Sequence, residues 1–122
     1  MARLEASDAA MRVAQLRVLG GAMARVPIDA TAFAHRNSRI MVNIAAFYDG
    51  EEDRVRRQAW VDEFAAAIQQ SDHGAYVNFV GDEGEARIHD IYPDATYRRL
   101  AEIKRRYDPS NLFRLNQNIK PA

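Results

Sequence analysis

Three histidines, His35, His73 and His89, are the side chains best suited to metal binding or to proton transfer near neutral pH. They are scattered, and no two stand at the H-x-x-x-H spacing that puts a pair on one helix face. His73 and His89 read as exposed loop residues, and His35, beside Arg36, as a packed or hydrogen-bonded histidine. The acids at 51–53 and at 82–85 are neighbours in sequence. A general acid and base need environments that push their pKa values apart, and a solvated helix start and a loop do not supply them. The pairs Arg98-Arg99 and Arg105-Arg106 are balanced by nearby acids and read as a solvated helix face. There is no G-x-G-x-x-G, no G-x-x-x-x-G-K-[ST] and no G-x-S-x-G, so neither a phosphate cradle nor a nucleophile elbow is present. With no cysteine, thiolate catalysis, disulfides and iron–sulfur clusters are excluded. Asn43 stands out because it is the one polar side chain in an apolar stretch, where a buried amide needs a ligand, water or a neighbouring segment as partner.

The elements that would position these residues must fit in 122 residues, enough for one domain, 1–122, with one core. Lys+Arg and Asp+Glu are equal at 17 each, which gives no electrostatic footprint for a nucleic acid or a membrane surface. Even as long an apolar run as Ile44 to Tyr48 falls far short of the ~20 residues of a bilayer span. The first residues lack the apolar stretch of a signal peptide. Together with the missing disulfides, this points to the cytoplasm.

Ser7 to Val18 reads as a short helix stopped by Gly20-Gly21, with Ser7 as its N-cap. Residues 20–34 read as irregular. Arg39 to Phe47 is the best strand: Ile40, Val42, Ile44 and Ala46 alternate with Met41, Asn43, Ala45 and Phe47, and two apolar faces imply cover on both sides. A helix is expected from about Glu51 to Gln70, with an apolar stripe of Val55, Trp60, Val61, Phe64, Ala65 and Ile68. Ser71-Asp72-His73-Gly74 ends it, and Tyr76 to Val80 reads as a second strand. Residues 81–93 read as a loop. Asp94 is expected to cap a last helix, about 95–107, on a line of Tyr97, Leu100, Ile103 and Tyr107 that Asp108-Pro109 terminates. Two strands are a thin sheet for an independent core, so the sheet expects strands from elsewhere.

Four strings, in this order, carry a resemblance: Leu19-Gly20-Gly21-Ala22-Met23; Thr31 to Arg36 (TAFAHR); Ala75-Tyr76-Val77-Asn78-Phe79; and Tyr97 to Phe113 (YRRLAEIKRRYDPSNLF), followed by Gln117-Asn118-Ile119. From about residue 15 to 120 the chain resembles the C-terminal end of FAD-linked oxidases of the berberine-bridge-enzyme type, in the vanillyl-alcohol-oxidase superfamily. The resemblance implies an α+β fold: a small antiparallel sheet backed by two or three helices, as an incomplete half of a substrate domain. It implies FAD in the complete enzyme, with the flavin gripped by a separate FAD-binding domain or subunit, so that this chain alone would not retain it. It implies that Tyr76 and Asn78 reach the flavin ring, Asn78 as a polar contact and Tyr76 as ring-side packing, substrate contact and the candidate for proton removal. A shared strand face for residues 76 and 78 agrees with this. Plant-type members carry a catalytic carboxylate on the strand after the His-Arg string. Here Val42 or Asn43 takes that place and neither can act as a base, which leaves Asn43 as a substrate-orienting residue.

The function expected from the resemblance is one wall of a flavin and substrate pocket, used for hydride transfer from a substrate carbon to flavin. Another reading is a non-catalytic α+β module that self-associates, because an open sheet edge and an uncovered apolar face favour a homodimer. A third is a small-ligand module using the same pocket.

Overall fold

The structure is a computed structural model and describes residues 2–70, 73–81 and 84–122. Of the residues read above, Ser71, Asp72, Asp82 and Glu83 lie outside the described set. The element order is α1 (Ala2–Glu5), β1 (Arg12–Val18), a 3-10 turn at Met23–Arg25, β2 (Ile40–Ala46), α2 (Gly50–Ile68), 3-10 turns at Val77–Phe79 and Glu85–Arg87, α3 (Ile88–Ile91) and α4 (Asp94–Tyr107). The fold is α+β, with a small antiparallel sheet. The chain divides into two compact units, one of residues 1–19 and 39–72, the other of 20–38 and 73–122.

In the first unit β1 and β2 pair antiparallel, from Arg12 opposite Ala46 to Val18 opposite Ile40. The expected helix over 7–18 is a strand here. Ala14, Leu16 and Val18 recur at a spacing of two, and the β-branched Val13 and Val18 suit a pleated surface better than a helix. Ser7 does not cap a helix: its Oγ accepts the Ala9 N–H at 3.3 Å, a local turn that leads into the strand. Gly20 and Gly21, at φ +130° and +58°, turn the chain out of β1 rather than ending a helix, and the positive φ is why glycine stands there. The strand read at 39–47 is present as Ile40–Ala46. The cover expected on both of its faces is not: Val18 is 87% exposed opposite Ile40 at 55%, and Leu16 is 67% exposed opposite Val42.

α2 packs against β2 and α1 against β1. α1 is held by Trp60, whose indole N–H donates to the Arg3 carbonyl at 2.9 Å, and Trp60 meets Phe64 edge-on at 5.6 Å. Of the apolar stripe, Trp60, Val61, Phe64 and Ala65 are half-buried, while Val55 is exposed. Arg57, buried in α2, pairs with Asp53 one turn earlier at 3.0 Å and with Asp8 of the segment before β1. Arg56 reaches the same two acids at 3.0 and 2.9 Å. This cluster holds the Asp8 carboxyl down at about 2, the Arg57 and Arg56 hydrogen bonds being the chief causes.

In the second unit α4 begins at Asp94, with Pro93 at the capping position in place of the expected Asp94. Its buried contact is Ala101; Tyr97 and Leu100 are half-buried and Tyr107 is exposed, so the apolar line turns outward along its length. Residues 81–93, read as loop, contain α3, whose Ile88 and Ile91 are buried. The strand expected at 76–80 is a 3-10 turn: Phe79 N–H bonds back to Tyr76 O at 2.8 Å, and no described strand lies beside it to pair with. Strand-like composition does not make a strand without a partner ladder. The buried apolar residues, Ala9, Ala34, Ile88, Ile91 and Ala101, are few, and no large side chain among the described residues is fully buried. No described helix is long and apolar enough to cross a membrane.

Candidate functional site

The site is built within the second unit, from the TAFAHR string, the segment 75–79 and α3. Arg36 organises the first of these. Its guanidinium donates to the Met23 carbonyl at 3.3 Å and to Thr31 Oγ1 at 2.6 Å, and it lies 4.9 Å from the Phe33 ring centre. Thr31 Oγ1 also accepts the Phe33 N–H at 3.3 Å. One planar cation thus ties Met23 to Thr31 and holds the Phe33 ring beside them. His35 is hydrogen-bonded, as read from the sequence: its Nε2 lies 3.1 Å from the Ile91 carbonyl of α3. A carbonyl only accepts, so Nε2 carries a proton and is the donor.

The second wall is Ala75 and Tyr76. Ala75 N–H donates to the Asp90 carbonyl at 3.0 Å, which pins this segment beside α3. Tyr76 then meets Phe33 edge-on at 5.7 Å and Phe79 at 5.7 Å. Phe33, His35, Ala75, Tyr76, Ile91 and Tyr92 enclose most of a recess of about 180 Å³. Burial pushes the Tyr92 phenol up from its ordinary value, and Tyr76 adds to the shift. A neutral aromatic lining with two phenols suits the edge of a flat ring. The volume is below the about 300–1,000 Å³ of pockets that enclose a whole ligand, so the recess forms part of a wall and not a container.

Tyr76 and Asn78 come together, though not along a strand face as expected. The 3-10 turn folds Asn78 back so that its Nδ2 donates to Tyr76 Oη at 2.7 Å. The Tyr76 hydroxyl proton and Asn78 Oδ1 remain uncommitted within the described residues, and Asn78 is exposed. Asn43 belongs to the first unit, half-buried on β2, with no hydrogen bond to its side chain among the described residues. Phe33, Ile91 and Tyr92 went unnoticed as site residues in the sequence. The available signal was the TAFAHR string, whose Phe and His are now seen beside Tyr76. His89 is on α3 and not in a loop, paired with Asp94 at 2.9 Å and packed on Tyr97 at 5.0 Å.

The string after α4 is a built turn. Asp108 pairs with Lys104 at 2.6 Å and accepts the Leu112 and Phe113 N–H groups at 2.7 and 3.0 Å. These bonds, Lys104 first, hold its carboxyl below the ordinary carboxylate range. Lys104 also donates to the Phe113 carbonyl. Asn111 takes a positive φ of 54°, which asparagine tolerates better than most residues. Gln117 donates to the Val80 and Gly81 carbonyls at 3.1 and 2.9 Å and so fastens the tail to the segment that carries Tyr76.

Residues 75–120 match the family model described as berberine and berberine like. The chain is 36% identical over 103 residues to an uncharacterized FAD-linked oxidoreductase, YvdP, of Bacillus subtilis, a match covering 84% of this chain and 23% of that protein. It is 31% identical over 114 residues to the monolignol oxidoreductase AtBBE-like 13 of Arabidopsis thaliana, covering 82% and 21%. It is 29% identical over 109 residues to the xylooligosaccharide oxidase of Thermothelomyces thermophilus, covering 83% and 22%. The chain therefore carries a berberine and berberine-like segment and is a relative of the FAD-linked oxidoreductases, of which it spans less than a quarter of the length.

Proposed function

We propose that this chain forms one wall of the flavin and substrate pocket of an FAD-dependent oxidoreductase, with the flavin held by a separate FAD-binding domain or subunit. The observation that carries the reading is the Tyr76–Asn78 pair beside an aromatic recess, inside the segment that matches the family model. The donor set fits a flavin edge. A flavin ring presents carbonyl acceptors and an N–H donor, and the pair offers a hydroxyl proton, an amide N–H and an amide oxygen. The small recess and the want of a phosphate cradle fit a contact to the ring alone, so FAD is not retained by this chain by itself. The few buried large side chains fit a surface that another polypeptide covers.

FAD, when bound, supplies a hydride acceptor for a substrate carbon. Tyr76 Oη takes the substrate proton as the phenolate, after releasing its own proton to solvent, and the Asn78 N–H at 2.7 Å stabilises that negative charge. The Phe33 edge fixes the Tyr76 ring. The chain's relatives are named for both an aromatic and a sugar substrate, and the reading is of the reaction class common to them.

The test uses lumiflavin, the free ring without phosphates. Titrated into the purified chain, it is expected to show saturable fluorescence quenching in the millimolar range. Asn78→Ala should weaken binding several-fold, and Tyr76→Phe should reduce the quenching. The purified chain is expected to be colourless. A titration that stays flat to the solubility limit would overturn the reading.

A further inference from the structure

Tyr76 and Asn78 stand on a turn too short to hold itself. The 3-10 segment Val77–Phe79 is three residues long, and the bond from Phe79 N–H to the Tyr76 carbonyl at 2.8 Å closes it. A single turn fixes several dihedrals for very few hydrogen bonds, so its geometry depends on what grips its ends. At the leading end Ala75 N–H donates to the Asp90 carbonyl at 3.0 Å. At the trailing end the grip comes from far along the chain. Gln117 Nε2 donates to the Gly81 carbonyl at 2.9 Å and to the Val80 carbonyl at 3.1 Å. An amide NH2 carries two donor hydrogens, enough for both of these consecutive carbonyls, so the two bonds fix direction as well as distance.

The tail is shaped to present that amide. Asn116 takes a left-handed φ of 58°, and Asn118 N–H donates back to the Asn116 carbonyl at 2.9 Å, a tight turn with Gln117 at its centre. Asparagine tolerates the left-handed region better than most residues, and such a conformation persists where its surroundings hold it. Gln117 is half-buried, and farther along the tail Lys120 N–H reaches Tyr97 Oη of α4 at 3.4 Å. The bend thus lies between an ordered helix and the segment that carries Tyr76.

We infer that Gln117 is a positioning residue for the Tyr76–Asn78 pair. It acts through Val80 and Gly81. By holding the trailing end of the turn it keeps Asn78 Nδ2 on Tyr76 Oη at 2.7 Å, and so sets where the phenol and the amide oxygen point. Without the two bonds the Val80 and Gly81 carbonyls turn to water, Phe79 N–H opens from Tyr76, and the exposed Asn78 swings off the phenol. The functional consequence rests on the proposed flavin wall; the inference goes beyond it in giving control of that wall to the tail after α4. A clasp that only fastened the tail would leave the geometry of the pair unmoved.

Gln117→Met keeps the length of the side chain and removes both donors. In the full chain the far-ultraviolet circular-dichroism spectrum and the amide exchange of α4 are expected to stay unchanged. The Phe79 amide should exchange faster by about tenfold, and the Asn78 side-chain amide signals in nitrogen–proton NMR should move toward those of a free amide. Lumiflavin should bind several-fold more weakly. In an Asn78→Ala background the same substitution should cost little more, because the group it positions is already gone. Asn116→Val leaves Gln117 in place but disfavours the left-handed bend, and it should reproduce the loss in smaller measure. Unchanged Asn78 signals and Phe79 exchange in Gln117→Met, or losses that add in full to those of Asn78→Ala, overturn the inference. A wild-type chain that does not bind lumiflavin overturns the flavin wall instead. The NMR and exchange measurements need no flavin and still decide whether Gln117 sets the pair.

Discussion

The two units are held together by different means. In the first, a strap before β1 is tied to α2 by charge: Arg57 and Arg56 clasp Asp8 and Asp53, and the apolar sheet face stays largely in solvent. In the second, side chains reach for backbone carbonyls. Arg36, His35, Lys104 and Gln117 bond to Met23, Ile91, Phe113, Val80 and Gly81, and the aromatic rings meet edge-on around Tyr76. Carbonyl-directed bonds fix backbone where regular structure does not, and the second unit is mostly irregular. That is how irregular segments acquire a definite recess. The charge-tied unit keeps a regular ladder with an exposed apolar face.

The contrast can be broken by substitution. Ile91, 3% exposed beneath the recess, should be the costliest small truncation: Ile91→Ala is expected to lose about 2–5 kcal/mol of stability. The comparable change on the sheet, Leu16→Ala, at 67% exposure, should cost within about 0.5 kcal/mol in the monomer. Denaturant melts of the two variants would settle the point, and equal losses would mean that the sheet face is covered. Arg57→Met keeps the volume and removes the charge. It leaves Asp8 and Asp53 to Arg56 and loosens the strap, with an expected loss of about 2 kcal/mol and faster hydrogen exchange at 7–9 and 50–57 than in α4.

Acid should separate the units more gently. Asp8, Glu51 and Asp53 in the first unit are all depressed, chiefly by their arginine partners; in the second, among the described residues, the depressed group is Asp108. A carboxyl with a lowered folded pKa contributes stability above its unfolded pKa and loses it as pH falls through the folded one. For Asp8 that window runs from 3.8 down to about 2. Amide exchange followed over this range should show the strap and the start of α2 loosening before α4. Loosening of α4 first would reverse the comparison. High salt at neutral pH should weaken the exposed Arg56 pairs slightly, the smallest effect of the series.

Much of the regular structure was legible from periodicity. β2, α2 and α4 stand within a residue or two of their expected places, because each carries enough repeats of one period to exclude the other. β1 was misread where Met11 and Ala14 gave a helical spacing that Leu16 and Val18 did not continue. The 76–80 turn was misread because aromatic and β-branched residues favour a strand only if a partner is available. Tyr76 and Asn78 were legible as a pair through the resemblance, but the bond between them depends on the 3-10 turn.

By itself the sequence determined the absence of cysteine chemistry and of a phosphate cradle, the uncharged strand around Asn43, and the strings that carry the family likeness. The tertiary structure alone decided that Phe33 and His35 stand against Tyr76 and Ile91, and that Gln117 reaches the Val80 and Gly81 carbonyls. Those facts depend on which distant segments meet and in what register. A pattern of side chains along one segment specifies its own period, but not the ladder or carbonyl it will find across the fold.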